Sequence, residues 1–204
     1  MRLPICPAAS ILALTITGPA MAQSTESITV EFTGTVTAVQ GITGLQAGDP
    51  ITGQYRFDPS APDIDQADKN LGLYEAVTDF TIQLGQYDYS ASRGLIAVSN
   101  DALPQRGLDA PVDGYSVTIP LEVEEAKLAQ WAPVQVEINL ADTSATAFEG
   151  DALPETPSEK PFDIRGPEGY RPAGGTIHFG DTAAGVGGVV RFRVQWLETV
   201  SRVR

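Results

Sequence analysis

An all-β domain, built as an antiparallel β-sandwich of jelly-roll type with at most one short helix, is the fold this chain predicts. Three observations predict it. Apolar and polar residues alternate with a period of two in segment after segment, the pattern of half-buried strands. The 20 glycines and 15 prolines are scattered between those segments as turn punctuation. Helical periodicity is nowhere sustained for three turns.

The elements follow in order. Residues 1–22 have one positive charge at Arg2, an apolar run from Ile11 to Ile16, and small residues at Ala20 and Ala22. That reads as a secretory signal cleaved after Ala22, with the mature domain spanning 23–204. The run is too short to cross a bilayer, which takes about 20 residues. Ile28, Val30, Phe32, Gly34, Val36 and Ala38 alternate with a threonine-rich face, and Gly34 marks a bulge or bend. After a turn at Gly48-Asp49-Pro50, Ile51, Gly53, Tyr55 and Phe57 give a second strand. Residues 58–72 are an acidic loop. Thr78–Leu84 turns tightly at Gly85-Gln86 into Tyr87–Ser90, and Leu95–Ser99 follows. Tyr115, Val117 and Ile119, continued by Leu121 and Val123, form the next strand, and Pro120 demotes its second half to a sheet edge. Glu124–Gln130 is the one helix-favouring stretch. Val134–Leu140 alternates, residues 142–173 form a long loop with a short strand near Phe162, and Thr176–Phe179 is brief. The last strand alternates Val190, Phe192, Val194 and Trp196 with Arg191, Arg193 and Gln195. That places Trp196 in the core and pairs the strand with the first one or sets it centrally.

Composition narrows function. The chain carries 13 Lys and Arg against 26 Asp and Glu, a net charge of −13. Nucleic acid and anionic membrane surfaces require clustered cations and are excluded as partners. The single cysteine, Cys6, leaves with the signal, so the mature chain folds without disulfides. No second apolar stretch is long enough to serve as an integral membrane segment.

Phe32-Thr33-Gly34-Thr35-Val36, Gly48-Asp49-Pro50-Ile51-Thr52-Gly53, Tyr55-Arg56-Phe57-Asp58, Gly72-Leu73-Tyr74, Asp113-Gly114-Tyr115, Leu140-Ala141-Asp142 and Asp151-Ala152-Leu153-Pro154 together carry a resemblance. The chain resembles a group of exported bacterial β-sandwich proteins of unknown function, many of which end in a PEP-CTERM sorting signal. The resemblance implies a β-sandwich and an exported location, periplasmic or extracellular. It lends no catalytic residue. The Pro-Glu-Pro signal and its apolar helix have no counterpart here, so it implies no surface sorting.

Candidate chemistry is sparse. Asp58, Asp63, Asp65, Asp68 and Asn70 bring into one loop the oxygen donors calcium prefers, without the EF-hand register; the competing reading is a solvated turn. His178 is the only histidine. A Ser-His-Asp triad would need it, and no Gly-x-Ser-x-Gly elbow accompanies it; a zinc site is excluded by the same shortage. Glu122, Glu124, Glu125 and Glu137 offer carboxylate pairs for glycoside cleavage without specificity. Trp131, Tyr87 and Tyr89 are candidate aromatic contacts for a sugar ring, set against ordinary core packing. The expected function is a secreted, non-catalytic binding or structural module for a glycan or cell-surface component. The alternative is a secreted carbohydrate-active hydrolase or lyase. A small outer-membrane barrel would need an apolar outside, which the threonine-rich and charged faces contradict.

Overall fold

A computed structural model describes residues 26–102, 111–121, 131–157, 162, 173–181 and 186–203. The strands are β1 (Ser27–Gln40), β2 (Pro50–Phe57), β3 (Leu71–Leu84), β4 (Tyr87–Ala91), β5 (Gly94–Ala102), β6 (Val112–Pro120), β7 (Pro133–Asp142), β8 (Ala173–Asp181) and β9 (Val186–Val203). All pairings are antiparallel, in the order β2-β1-β9-β8-β7-β6-β5-β3-β4, and β2 also pairs with β3. That last pairing closes the sheet. Eight strands form an up-and-down barrel, and β4 adds to β3 alone as a ninth.

This corrects the expected sandwich. Alternation with a period of two is common to both architectures, because each buries one face of every strand. What separates them is whether the outermost strands find each other. Here β1 pairs with both β2 and β9, and β3 is shared between β2 on one edge and β4 and β5 on the other. Among the described residues there is no helix. The expected helix at 124–130 and the strand around Phe162, apart from Phe162 itself, lie outside the described residues.

The interior is filled by side chains rather than hollow. Phe32, Tyr55, Phe57, Phe80, Tyr115 and Phe179 are fully buried there, with Ile28, Val117, Val136, Ile138, Ile177 and Val194 between them. Glycines on the inward face make room for rings. Phe32 lies over Gly53, its partner in register, and Phe192 over Gly175; a Cβ at either glycine would overlap the ring. Alternating large and small residues is how an eight-stranded barrel fills its narrow bore. Tyr55 and Tyr115 meet inside with their hydroxyls 3.0 Å apart, and burial pushes both phenols well above their usual range.

Two strand details bear on the expectations. β6 ends at Pro120, which pairs with Gln135 of β7 and has no β5 partner, so the position is locally an edge. The β5 ladder ends at Thr118, so the N–H that proline lacks is not needed there. Trp196 is not in the core. The β1–β9 register slips between Thr33 and Gly34, so that Thr33 faces Trp196 while Gly34 faces Val194. Gln195 is the extra residue. Val194 and Leu197 both point inward, and the two residues between them face out. Gly34 permits this approach, since a Cβ on it would strike the Arg193 carbonyl.

Candidate binding site

The bulge places Trp196 on the outer wall, where it borders a groove of about 550 Å³. Strand register explains the groove. Glu31 of β1 stands opposite Gln54 of β2, Gln54 opposite Thr81 of β3, and Thr81 opposite Ser90 of β4. Two residues along, Trp196 of β9 stands opposite Thr33, then Thr52, Gln83 and Asp88 follow on β1 to β4. The groove is these two adjacent rows, running across five strands. At about 4.8 Å per strand, the second row spans roughly 19 Å. Its floor lies at Phe32, Gly53, Ile82 and Tyr89, where Phe32, Ile82 and Tyr89 are buried.

The rows supply hydroxyls from Thr33, Thr52, Thr81 and Ser90, amides from Gln54 and Gln83, and carboxylates from Glu31 and Asp88. Trp196 is the aromatic wall at one end. An indole that is partly wet on an otherwise polar wall offers an apolar face and one N–H donor. The Thr35 hydroxyl donates to Gln195 Oε1 at 3.1 Å, which fixes the extra residue of the bulge and with it the strand turn that carries Trp196.

Of the aromatic residues singled out from sequence, Tyr89 lies in the groove's floor, while Tyr87 and Trp131 do not line it. Tyr89 is only 2% exposed and meets Phe179 edge-on inside the barrel. Its hydroxyl is buried without a hydrogen-bond partner, and burial pushes its pKa up to about 12. Tyr87 and Trp131 pack against the core, partly buried. Tyr87, on the β4 flap, accepts a hydrogen bond from the Gln86 amide at 3.1 Å.

The acidic loop between β2 and β3 holds Asp58, Asp63, Asp65, Asp68 and Asn70. Its carboxylates accept from nearby backbone. Asp58 Oδ1 takes the Ser60 N–H and hydroxyl, Asp63 Oδ1 takes the N–H groups of Asp65 and Leu73, and Asp68 Oδ1 takes that of Asn70. Among the described residues no three His, Cys, Asp or Glu side chains gather as a metal ion requires. The geometry is that of turns stabilised by their own aspartates.

Two other carboxylates are more deeply placed. Asp113 and Asp142 are buried and stand opposite each other on β6 and β7. Asp113 accepts the N–H groups of Asp101 and Phe148, and Asp142 accepts the N–H and hydroxyl groups of Ser144 and Thr146. Burial alone would raise the Asp142 carboxyl, but the Ser144 and Thr146 donors outweigh it and hold it below its ordinary value. These carboxylates pin the chain after β7 over one mouth of the barrel. Ala145, between the two donors, is held at φ 51° as a result.

His178 of β8 lies with its Nε2 3.9 Å from Glu137 Oε1 of β7, both partly exposed on the outer wall. Glu137 also accepts from the Gln135 amide. Glu122, Glu124 and Glu125 lie outside the described residues. No family model, curated protein or solved structure matches this chain.

Proposed function

We propose that this protein is an exported, non-catalytic β-barrel that binds a glycan on its outer wall. The observation that carries this reading is Trp196, turned out of the core by a bulge and set at the end of a groove lined with hydroxyls, amides and carboxylates. Polyhydroxylated ligands need many paired donors and acceptors together with an apolar face to stack on. The filled bore favours a site on the wall over one inside the barrel, where related architectures hold a small ligand. Among the described residues, Glu31, Arg56, Glu137, His178, Arg191 and Arg193 occupy outward-facing strand positions, which suit water better than lipid. Export rests on the signal-like segment at residues 1–22.

The test is binding of the mature chain to a glycan array, followed by calorimetry on the best hits. Trp196→Ala is expected to weaken binding about tenfold or more, the loss of a central aromatic contact. Trp131→Ala is expected to leave it unchanged, and the oligosaccharide should be recovered intact. Undiminished binding by Trp196→Ala would overturn the site, and cleavage of the oligosaccharide would overturn the non-catalytic reading.

A further inference from the structure

We infer that the chain bound in this groove carries primary amines, an amino-sugar oligomer rather than a neutral or anionic one; the inference rests on the glycan reading above. It begins with an unfavourable pair. Like charges directly opposite across an antiparallel ladder destabilise a sheet. Yet β1 and β9 set Glu31 directly opposite Glu198. Both stand on the outer face, one row from Thr33 and Trp196. Among the described residues neither is in an ion pair. At the far end the same groove has Asp88, and among the described residues no Lys, Arg or His lines it. Arg56 stands one row beyond Glu31, opposite Asp79, and the exposed Arg193 stands one row beyond Trp196, opposite Thr35.

The Trp196 end of the groove therefore offers an indole face next to two facing carboxylates. An ammonium group suits both. It is attracted to the indole face and it relieves the repulsion between Glu31 and Glu198. A uronate or sulfate would meet the same carboxylates as repulsion. The net charge of −13 steers a cationic chain toward the protein and an anionic one away.

Oligomers of glucosamine and of N-acetylglucosamine of equal length share one backbone and differ in the free amine. Calorimetry on the mature chain, at a pH where the amine is protonated, compares them. The glucosamine oligomer is expected to bind about tenfold tighter or better. The preference should vanish in Glu31→Gln/Glu198→Gln and in Trp196→Ala. It should survive in Glu75→Gln/Glu149→Gln, which removes the same charge from exposed positions outside the groove. Glu198→Gln alone is expected to keep or raise the melting temperature, which separates loss of binding from loss of fold. Equal binding of the two oligomers would overturn the inference and leave the glycan reading standing. So would equal loss of preference in the Glu75/Glu149 variant, which would trace it to bulk charge. Binding of neither oligomer would overturn the amine preference, and the neutral glycans of the array would then decide the wider reading.

Discussion

Asp142 shows how much one side chain can organise. Its two oxygens take four donors from Ser144 and Thr146, and that grip turns the chain back over the barrel mouth. Its carboxyl is held below its ordinary value in the folded protein. The stabilisation is therefore present above the unfolded carboxylate pKa of about 3.9 and is lost as the pH falls toward the folded value. Asp142→Asn is expected to cost about 1–3 kcal/mol at neutral pH, since the buried charged acceptor is lost and the amide keeps a single oxygen for the four donors. It should also flatten the fall in stability on the acid side. Urea unfolding across a series of pH values measures both, and an unchanged acid limb would count against the assignment. At this scale the sequence was legible in part. It marked aspartates in turns, and the 58–70 loop does hold aspartates that cap their own turns. It did not single out Asp113 and Asp142, because burial of a carboxylate depends on what the barrel mouth brings over it.

At the scale of elements, the β1–β9 bulge decides the surface. Gly34 was readable as a bulge or bend from its place in an otherwise regular strand, and the register slips there. Its consequence was not readable. The extra residue lies on β9, at Gln195, so the alternation that put Trp196 in the core breaks one residue before it. Gly34→Ala would press a Cβ into the Arg193 carbonyl. It is expected to destabilise by about 1–3 kcal/mol, the usual cost of overpacking. It should also weaken glycan binding, because it disturbs the turn that presents Trp196. Denaturant unfolding and calorimetry on the same variant test the two effects. A stable variant with intact binding would show that the groove does not depend on the bulge. The β3–β4 hairpin shows the opposite case. Gly85-Gln86 between alternating runs specified it locally, and Leu84 pairs with Tyr87 across a Gly85 with φ 61°. Tyr87 and Tyr89 share a face as the alternation required. That face turns to the core, and this follows from β4 lying against β3 at the barrel's end.

For the whole molecule, closure is the central property. Ser27 of β1 stands opposite Val203 of β9, so the two ends of the barrel chain are neighbours in one ladder. Arg202 adds ion pairs to Glu26 and to Glu155 of the long loop, and both raise its pKa. A circular permutant joining residue 203 to residue 26 by a short flexible linker, opened in the 58–70 loop, is expected to fold with native-like circular dichroism and cooperative unfolding. Surface loops tolerate such breaks. A permutant that stayed unfolded would contradict the β1–β9 closure.

The sequence by itself determined that the chain is all-β, roughly where the strands lie, and which face of most of them is apolar, although β3 begins at Leu71 rather than Thr78 and β9 runs past Trp196 to Val203. These are local matters of alternation and turn chemistry, and each can be read within ten residues. It also determined the acidic charge that sets which ligands can approach. Only the tertiary structure decided that the sheet closes as a barrel, that the bore is filled by rings seated on glycines, and that Trp196 faces solvent beside Glu31 and Glu198. Each of those depends on pairing between residues far apart in the chain. A single-residue slip in such a ladder reverses the face of everything beyond it.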